Sequence, residues 1–151
     1  MIDTGKFMYD ATQNMVNLLK ANKEDWGAKD VFPLQTKFKR LYPSIEVNST
    51  DATFERVESG GGYQCDITLD VYFWFQQLNE KFAKEELEKR SSALALFIAE
   101  HPTLGGYSND VMLERLFITA LPEQKAVEPI FAVVAVIRCV VRKEIFLDYK
   151  E

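Results

Sequence analysis

The sequence contains few of the residues that build disulfide-stapled, metal-bound or membrane-spanning proteins. Its 151 residues include two cysteines, one histidine and five prolines. Cys65 and Cys139 are far apart and belong to no CxxC motif, which argues against a disulfide framework or a zinc site. No stretch approaches the ~18 consecutive apolar residues of a membrane helix, and the amino terminus lacks a secretory signal. We therefore expect a cytoplasmic protein with reduced thiols, no metal ion and no membrane partner.

The chain carries a net negative charge. Eighteen basic and 23 acidic residues give a net charge of −5, with an isoelectric point near 5.0. An acidic surface disfavours general binding to nucleic acids and to anionic membranes. The densest basic cluster, Lys37-Phe38-Lys39-Arg40, is therefore interpreted as a solvated rim, and nucleic acid is not expected as the primary ligand.

The composition is that of a folded protein, because 47% of the residues are hydrophobic and 27% are charged. A chain of this length can bury one sizeable core without cross-links. No repeat or low-complexity linker divides the sequence. We expect one domain over residues 1–151.

Two segments have the apolar periodicity of helices. Residues 4–20 repeat apolar side chains at spacings of three and four, and residues 79–100 do so again. The apolar stripe of the second helix is predicted to contain Phe82, Ala83, Leu87, Ser91, Leu94, Ala95 and Ile98.

Strand signals occupy most of the remaining chain. Apolar and polar residues alternate, or β-branched residues accumulate, in five segments: residues 44–48, 53–58, 63–76, 111–121 and 130–142. The third is the clearest, and the fourth is apolar on both faces, as expected of a covered strand or of a β-bulge. Residues 31–43 are left open, because Pro33 and Pro43 bracket a segment with helical spacing. The element order α-β-β-β-α-β-β predicts an α+β fold, with an antiparallel or mixed sheet and both helices packed on one face.

No residue set indicates catalysis, a cofactor or a metal. His101 ends the second helix without a partner at motif spacing, so a helix-terminal role is expected. A strand rather than a helix follows Gly60-Gly61-Gly62, which indicates a hairpin tip and not a phosphate cradle. Asp66 and Asp70 are roughly 13 Å apart on one strand face and are interpreted as a solvated sheet edge or an intersubunit contact. We therefore predict no enzymatic activity.

Four consecutive aromatic residues, at positions 72–75, place large side chains on both faces of the clearest strand. If Tyr72 and Trp74 are exposed, they mark a protein interface. The alternative, left open here, is that a loop from residues 20–43 folds over them.

The carboxy-terminal half carries a family resemblance. The second helix leads into His101-Pro102-Thr103-Leu104-Gly105-Gly106, and strands follow at residues 111–121 and 132–141. This order, with the strand at residues 65–73 before the helix, resembles the tail-terminator, or tail-completion, proteins of long-tailed bacteriophages. The resemblance covers residues 54–143.

The resemblance implies a structural, non-enzymatic phage or prophage protein that is assembled in the host bacterial cytoplasm and belongs to the virion tail. Such proteins form a ring, usually a hexamer, that caps the tail tube, ends its polymerisation and provides the attachment surface for the head connector. The expected partners are further copies of the chain, the major tail-tube protein and a head-connector or neck protein. The candidate subunit and tube contacts are Gly60, Gly61, Gly62, Tyr72, Trp74, Leu104, Gly105, Gly106, Tyr107, Arg138, Arg142 and Lys143.

Two alternatives stay open. The first is that the chain is another neck or tail-assembly component. The second is that it is a small-molecule-binding or catalytic α+β domain with a pocket between the helices and the sheet. A polar pocket that contains a titrating group would favour the second alternative.

Overall fold

A computed structural model describes residues 7–33, 43–56, 62–76, 80–104, 108, 110–121 and 130–144. In chain order the elements are α1 (Phe7–Ala21), α2 (Lys23–Trp26), β1 (Asp30–Pro33), β2 (Ser44–Arg56), β3 (Gly62–Gln76), α3 (Glu80–Glu100), β4 (Asp110–Leu121) and β5 (Ile130–Glu144). The predicted α+β class is confirmed.

The strands form one mixed sheet in the order β1-β2-β3-β5-β4. β1 pairs with β2 in parallel, and all other neighbours are antiparallel. β3 is the central strand and pairs with β5 along its whole length, from Gly62 opposite Glu144 to Gln76 opposite Ile130. Asp66 and Asp70 therefore lie on the central strand, so their interpretation as a sheet edge was wrong.

Three strands precede α3, as predicted, but two of them have different bounds from the predicted ones. β2 is a single strand where two were predicted, because a bulge between Ser49 and Asp51 shifts the register without breaking the pairing to β3. The remaining strand is β1, which lies partly within the segment that the sequence left open. Of the two explanations left open for the fourth segment, the structure shows a β-bulge in β4, between Leu113 and Arg115.

Both long helices pack on one face of the sheet, as predicted. α1 contacts β1, β2 and β3, whereas α3 contacts β4 and β5. β3 directs alternate side chains into the same core, because successive residues of a strand point to opposite faces. The core contributions of these three elements are Ala11, Met15, Val16 and Leu19 from α1, Cys65, Ile67, Leu69, Val71, Phe73 and Phe75 from β3, and Ala83, Leu87, Leu94, Phe97 and Ile98 from α3.

One predicted core residue of α3 is misplaced. Phe82 is 55% exposed, whereas Phe97, which was not predicted in the stripe, is 8% exposed. Ala83 and Leu87 set the direction of the buried face, and Phe82 lies about 100° around the helix from Ala83. Sequence spacing alone did not resolve this rotation.

The face opposite the helices has a second, smaller apolar cluster. Trp74, Ala132 and Val134 are buried there, and Tyr72 and Phe117 pack against them partly exposed. We call this side of the sheet the outer face. The described side-chain hydrogen bonds and ion pairs between strands are mostly on this face.

Candidate functional site

Among the residues predicted at subunit and tube contacts, those that the structure describes do not form one surface. Gly60, Gly61, Gly105, Gly106 and Tyr107 lie outside the described residues. Gly62 begins β3, and Arg142 and Lys143 lie opposite Gln64 and Tyr63 in β5, so these three predicted positions meet at one end of the β3–β5 ladder.

Leu104 belongs to the core and not to the surface. It is 3% exposed and follows α3 with a φ of 48°, in the left-handed region that L-residues rarely adopt. The turn directs its side chain against the helix-side core cluster. A direct contact between Leu104 and another subunit would require the turn to open.

Tyr72, Trp74 and Arg138 are the predicted contact residues that share the outer face. The rings of Tyr72 and Trp74 stack in parallel, with centroids 5.4 Å apart and 3° between their planes. Trp74 is only 5% exposed, whereas Tyr72 is half-buried. Tyr72 is therefore the more accessible of the two aromatic residues.

Acidic groups surround these rings. Trp74 Nε1 donates a hydrogen bond to Glu46 Oε1 over 3.2 Å, and the Glu46 side chain is itself buried. Burial, and then the charges of Asp70 and Glu46, raise the pKa of Tyr72. Burial also raises the pKa of Asp70. The Tyr72 hydroxyl thus stays protonated, and this part of the outer face is negative.

Arg138, one of the predicted contact residues, is paired with acidic side chains. Its Nη1 lies 3.8 Å from Asp66 Oδ2, and its Nε lies 3.6 Å from Glu114 Oε1. Its Nη2 donates to Met112 Sδ over 3.6 Å. These contacts join β3, β5 and β4 across the outer face. Arg138 alone is therefore not expected to give this chain a basic surface for binding a partner.

β4 forms one edge of the sheet. It is 12 residues long, and no other described strand pairs with its outer side. Ile118 is 47% exposed, and residues 116–121 include no charge, glycine or proline. Proteins usually protect long edge strands with charges, prolines or short lengths. In β4 the charges of Asp110, Glu114 and Arg115 and the bulge between Leu113 and Arg115 serve this purpose.

The other edge of the sheet, formed by β1 and β2, is partly covered. β1 is four residues long, ends in Pro33 and pairs only with residues 44–47 of β2. Beyond that point residues 48–56 of β2 have no described neighbour on their outer side. The exposed residues there include Asp51 and Phe54, the latter 57% exposed. The two sheet edges are therefore unlike, because β1 covers part of β2 whereas no described strand covers the outer side of β4.

The chemistry of the remaining candidate groups is limited. Burial raises the pKa of Cys139 to about 12, and burial together with Asp66 raises that of Cys65 to about 11, so both thiols stay protonated and unreactive near neutral pH. His101 Nδ1 lies 2.8 Å from the carbonyl oxygen of Phe97, one helical turn back. This contact matches the helix-terminal role that was predicted for His101.

The small-molecule alternative expected a pocket between the helices and the sheet, but the cavity lies elsewhere. A cavity of about 240 Å³ that includes His101 lies between α2 and α3, and not between a helix and the sheet. Pockets for small molecules usually measure ~300–1,000 Å³. The cavity is therefore smaller than a typical ligand pocket.

Compared with protein-family models and with curated protein sequences, the chain has no match. The described residues contain no group of three or more side chains that could hold a metal ion. None of the described helices combines the length and apolar character needed to cross a membrane. The unlike sheet edges and the outer face are the features from which a function can be argued.

Proposed function

We propose that the chain is a structural subunit of a phage or prophage tail, which forms a ring on the end of the tail tube, stops tube growth and provides the attachment surface for the head connector. The observation that carries this proposal is the pair of unlike sheet edges at β4 and at residues 48–56 of β2. The resemblance of residues 54–143 to tail terminators supplies the biological setting.

Unlike edges favour ring formation for a geometric reason. A contact between two different surfaces of identical subunits is heterologous, and it closes into a ring when the rotation between neighbours permits. β4 runs antiparallel to β5, β5 antiparallel to β3 and β3 antiparallel to β2, so β4 and β2 point in opposite directions. Placed side by side, β4 of one subunit and β2 of the next would form an antiparallel pair.

The first experiment measures molar mass by light scattering over a concentration series. We expect the mass to rise from that of the 17.4 kDa subunit towards a closed ring of about six subunits. Ile118→Lys should prevent this rise, because it places a charge on the apolar half of the β4 edge. Tyr9→Lys is the matched control, since Tyr9 is a 62% exposed residue that belongs to α1 and not to the β4 edge that Ile118→Lys tests.

A mixing experiment separates a ring from a symmetric dimer. Phe54→Lys would impair the β2 edge, as Ile118→Lys impairs the β4 edge. In a heterologous contact each variant keeps one intact edge, so the mixture should form a one-to-one heterodimer although neither variant assembles alone. A stable closed dimer of the wild type would contradict the ring, and a strict monomer would contradict a ring that forms in solution without the tube.

A further inference from the structure

The outer face of the sheet is buried, although none of the described helices lies on it. α1, α2 and α3 all contribute to the core on the other side of the sheet, which we call the helix side. On the outer face Trp74 is 5% exposed, and Ala132 and Val134 are fully buried. Because a sheet face loses contact with water only when another layer packs on it, this burial indicates a cover on the outer face.

The buried area extends to the edge of the sheet. Phe32, in the edge strand β1, lies opposite Glu46 of β2, and Glu46 lies opposite Tyr72 of β3. Residues directly opposite each other in neighbouring strands share one face, so Phe32 belongs to the outer face. Flanking side chains can shield an alanine within a sheet, but Phe32 is only 8% exposed on an edge strand. The cover therefore spans β1 and β2 as well as β3.

The topology directs the chain between β1 and β2 to the outer face. These strands are parallel neighbours, so the chain crosses over one face of the sheet between them. Such crossovers are right-handed in about 98% of cases. α3 forms a crossover from β3 to β4 on the helix side. The chain from β1 to β2 moves across the sheet in the same direction, but these strands run opposite to β3 and β4, so a crossover of the same hand uses the outer face.

The helix side over these strands is already occupied. α1 contacts β1, β2 and β3 there. Val31 of β1 and Ile45 and Val47 of β2 are buried in the helix-side core. Handedness and the position of α1 therefore lead to the same face.

Residues 34–42 are long enough to reach the centre of the outer face. Pro33 lies opposite Val47, whereas the carbonyl oxygen of Pro43 accepts a hydrogen bond from Lys29 N over 2.7 Å. The segment thus returns roughly 13 Å along the strands, from the end of β1 to a point just before its start. Nine residues can span about 30 Å, so enough length remains to cross the ~10 Å between β1 and β3.

The segment and the outer face have opposite charges. Residues 37–40 contribute three positive charges, and residues 34–42 contain no acidic side chain. On the outer face the Glu46 side chain is 4% exposed, and the charges of Asp70 and Glu46 both raise the pKa of Tyr72. A buried carboxylate is stabilised by a nearby cation. Charge complementarity therefore favours this segment as the cover.

We propose that the outer face is the docking site of residues 34–42 of the same chain. The apolar residues of the segment pack on the rings of Tyr72 and Trp74, and its cations lie beside Glu46 and Asp70. This docking covers both rings within one subunit, so the sheet edges remain for contacts between subunits. The basic cluster of the segment then binds its own sheet instead of forming a solvated rim. The docking does not depend on the proposed ring.

A spin label tests the position of the segment. Thr36→Cys adds one reactive thiol, because the native thiols of Cys65 and Cys139 are buried and stay protonated. In a proton–nitrogen correlation spectrum the chain has two indole signals, from Trp74 on the outer face and from Trp26 on the helix side. We expect a nitroxide at position 36 to remove the Trp74 signal and to leave most of the Trp26 signal. Reduction of the nitroxide with ascorbate should restore the wild-type spectrum, which confirms that the variant is folded.

Two controls define what the signal loss means. Lys89→Cys places the label on an exposed position of α3, next to Arg90, which donates to the carbonyl oxygen of Trp26 over 2.8 Å. This label should weaken the Trp26 signal and spare that of Trp74. In a mixture of labelled chain and isotope-enriched wild type, the Trp74 signal of the wild type should stay, because the docking occurs within one chain.

Charge reversal tests the electrostatic contribution in the labelled Thr36→Cys chain. The charge of the segment is reversed by Lys37→Glu, Lys39→Glu and Arg40→Glu. This variant should recover the Trp74 signal, because the segment then has the same sign of charge as the outer face. The matched control reverses three exposed lysines of the helices by Lys20→Glu, Lys84→Glu and Lys89→Glu. In the control the Trp74 signal should stay suppressed.

Four results would overturn the proposal. The first two are an unaffected Trp74 signal in the labelled Thr36→Cys chain and equal loss of both indole signals. The third is a Trp74 signal that stays suppressed after charge reversal of the segment. The fourth is loss of the Trp74 signal in the mixed sample, which would assign the outer face to a second copy. None of these results bears on the mass measurements that test the ring.

Discussion

Trp74 and Glu46 are joined by a hydrogen bond in which the indole Nε1–H donates to a carboxylate oxygen over 3.2 Å, and both side chains are buried on the outer face of the sheet. The bond ties β3 to β2, close to Tyr72, which lies opposite Glu46 in the sheet register. A buried carboxylate depends on such donors, because burial of a charge without hydrogen bonds is strongly unfavourable.

Removing this donor should lower stability. We expect Trp74→Phe to reduce the free energy of unfolding by about 1–3 kcal/mol from the loss of the bond to a buried charge, in addition to any loss of packing. Trp26→Phe is the matched control, since Trp26 is equally buried and its Nε1–H has no acceptor among the described residues. Urea denaturation measures both. Equal effects of the two substitutions would show that the Trp74 bond contributes nothing.

Gly27 follows α2 in a left-handed conformation, with a φ of +62°, and no atom lies within 4 Å of the position that a Cβ would occupy. The space is open, so only backbone strain opposes a side chain there. Gly27→Ala should therefore lower the free energy of unfolding by about 1 kcal/mol, and Gly27→Asn by less, because asparagine tolerates this conformation. Thermal or urea denaturation measures the order, and an alanine variant as stable as wild type would contradict the assigned conformation.

Sequence patterns predicted the elements that depend on local periodicity. β3 alternates apolar and polar residues from Cys65 to Val71, and α3 has a helical period, so both were found close to their observed bounds. β1 was not found, because four residues ending in Pro33 carry little local signal and become a strand only by pairing with β2. Phe82 was misplaced because the sheet, and not the spacing, fixes the rotation of α3.

The candidate sites were less predictable than the fold. The aromatic residues at positions 72–75 correctly drew attention to the outer face, but Glu46 lies far from Trp74 in the sequence and gave no signal of its own. The cavity likewise joins Trp26 to Phe97 from separate helices. Whether Arg138 is a free cation or a paired one was decided by Asp66 and Glu114, which only the strand order brings beside it. Contacts of this kind arise from tertiary packing and leave no spacing motif.

The buried thiol of Cys139 should make stability depend on pH in the alkaline range. Burial raises its pKa from 9.0 to about 12, so the folded state retains a proton that the unfolded state releases. This contribution is fully present below about pH 9 and is lost as the pH rises towards about 12, by at most about 1.4 kcal/mol per pH unit. Cys139→Ala should flatten the decline between about pH 9 and pH 11 in urea denaturation. An unchanged slope would contradict the raised pKa.

Asp66 and Asp70 provide a matched comparison on the central strand, because both carboxylates lie on the outer face of β3. Asp66 accepts a hydrogen bond from Gln64 Nε2 over 3.1 Å and pairs with Arg138, whereas burial raises the pKa of Asp70. A raised pKa means that the protonated form of Asp70 favours folding. Its stabilising contribution is present below the unfolded pKa and lost as the pH rises through the folded one, so ionised Asp70 opposes folding at neutral pH.

Because Asp70 is partly exposed and solvent screens its charge, Asp70→Asn should increase the free energy of unfolding at neutral pH only slightly, by less than about 1 kcal/mol. The gain should disappear in acid, where the native aspartate is protonated as well. Asp66→Asn should have no effect or lower stability at neutral pH by less than about 1 kcal/mol, because it weakens a partly exposed ion pair. Urea denaturation of both variants near pH 7 and near pH 3 measures the difference. If Asp70→Asn destabilised the protein at neutral pH, the ionised carboxylate would have to be favourable in the fold, and the raised pKa of Asp70 would be refuted.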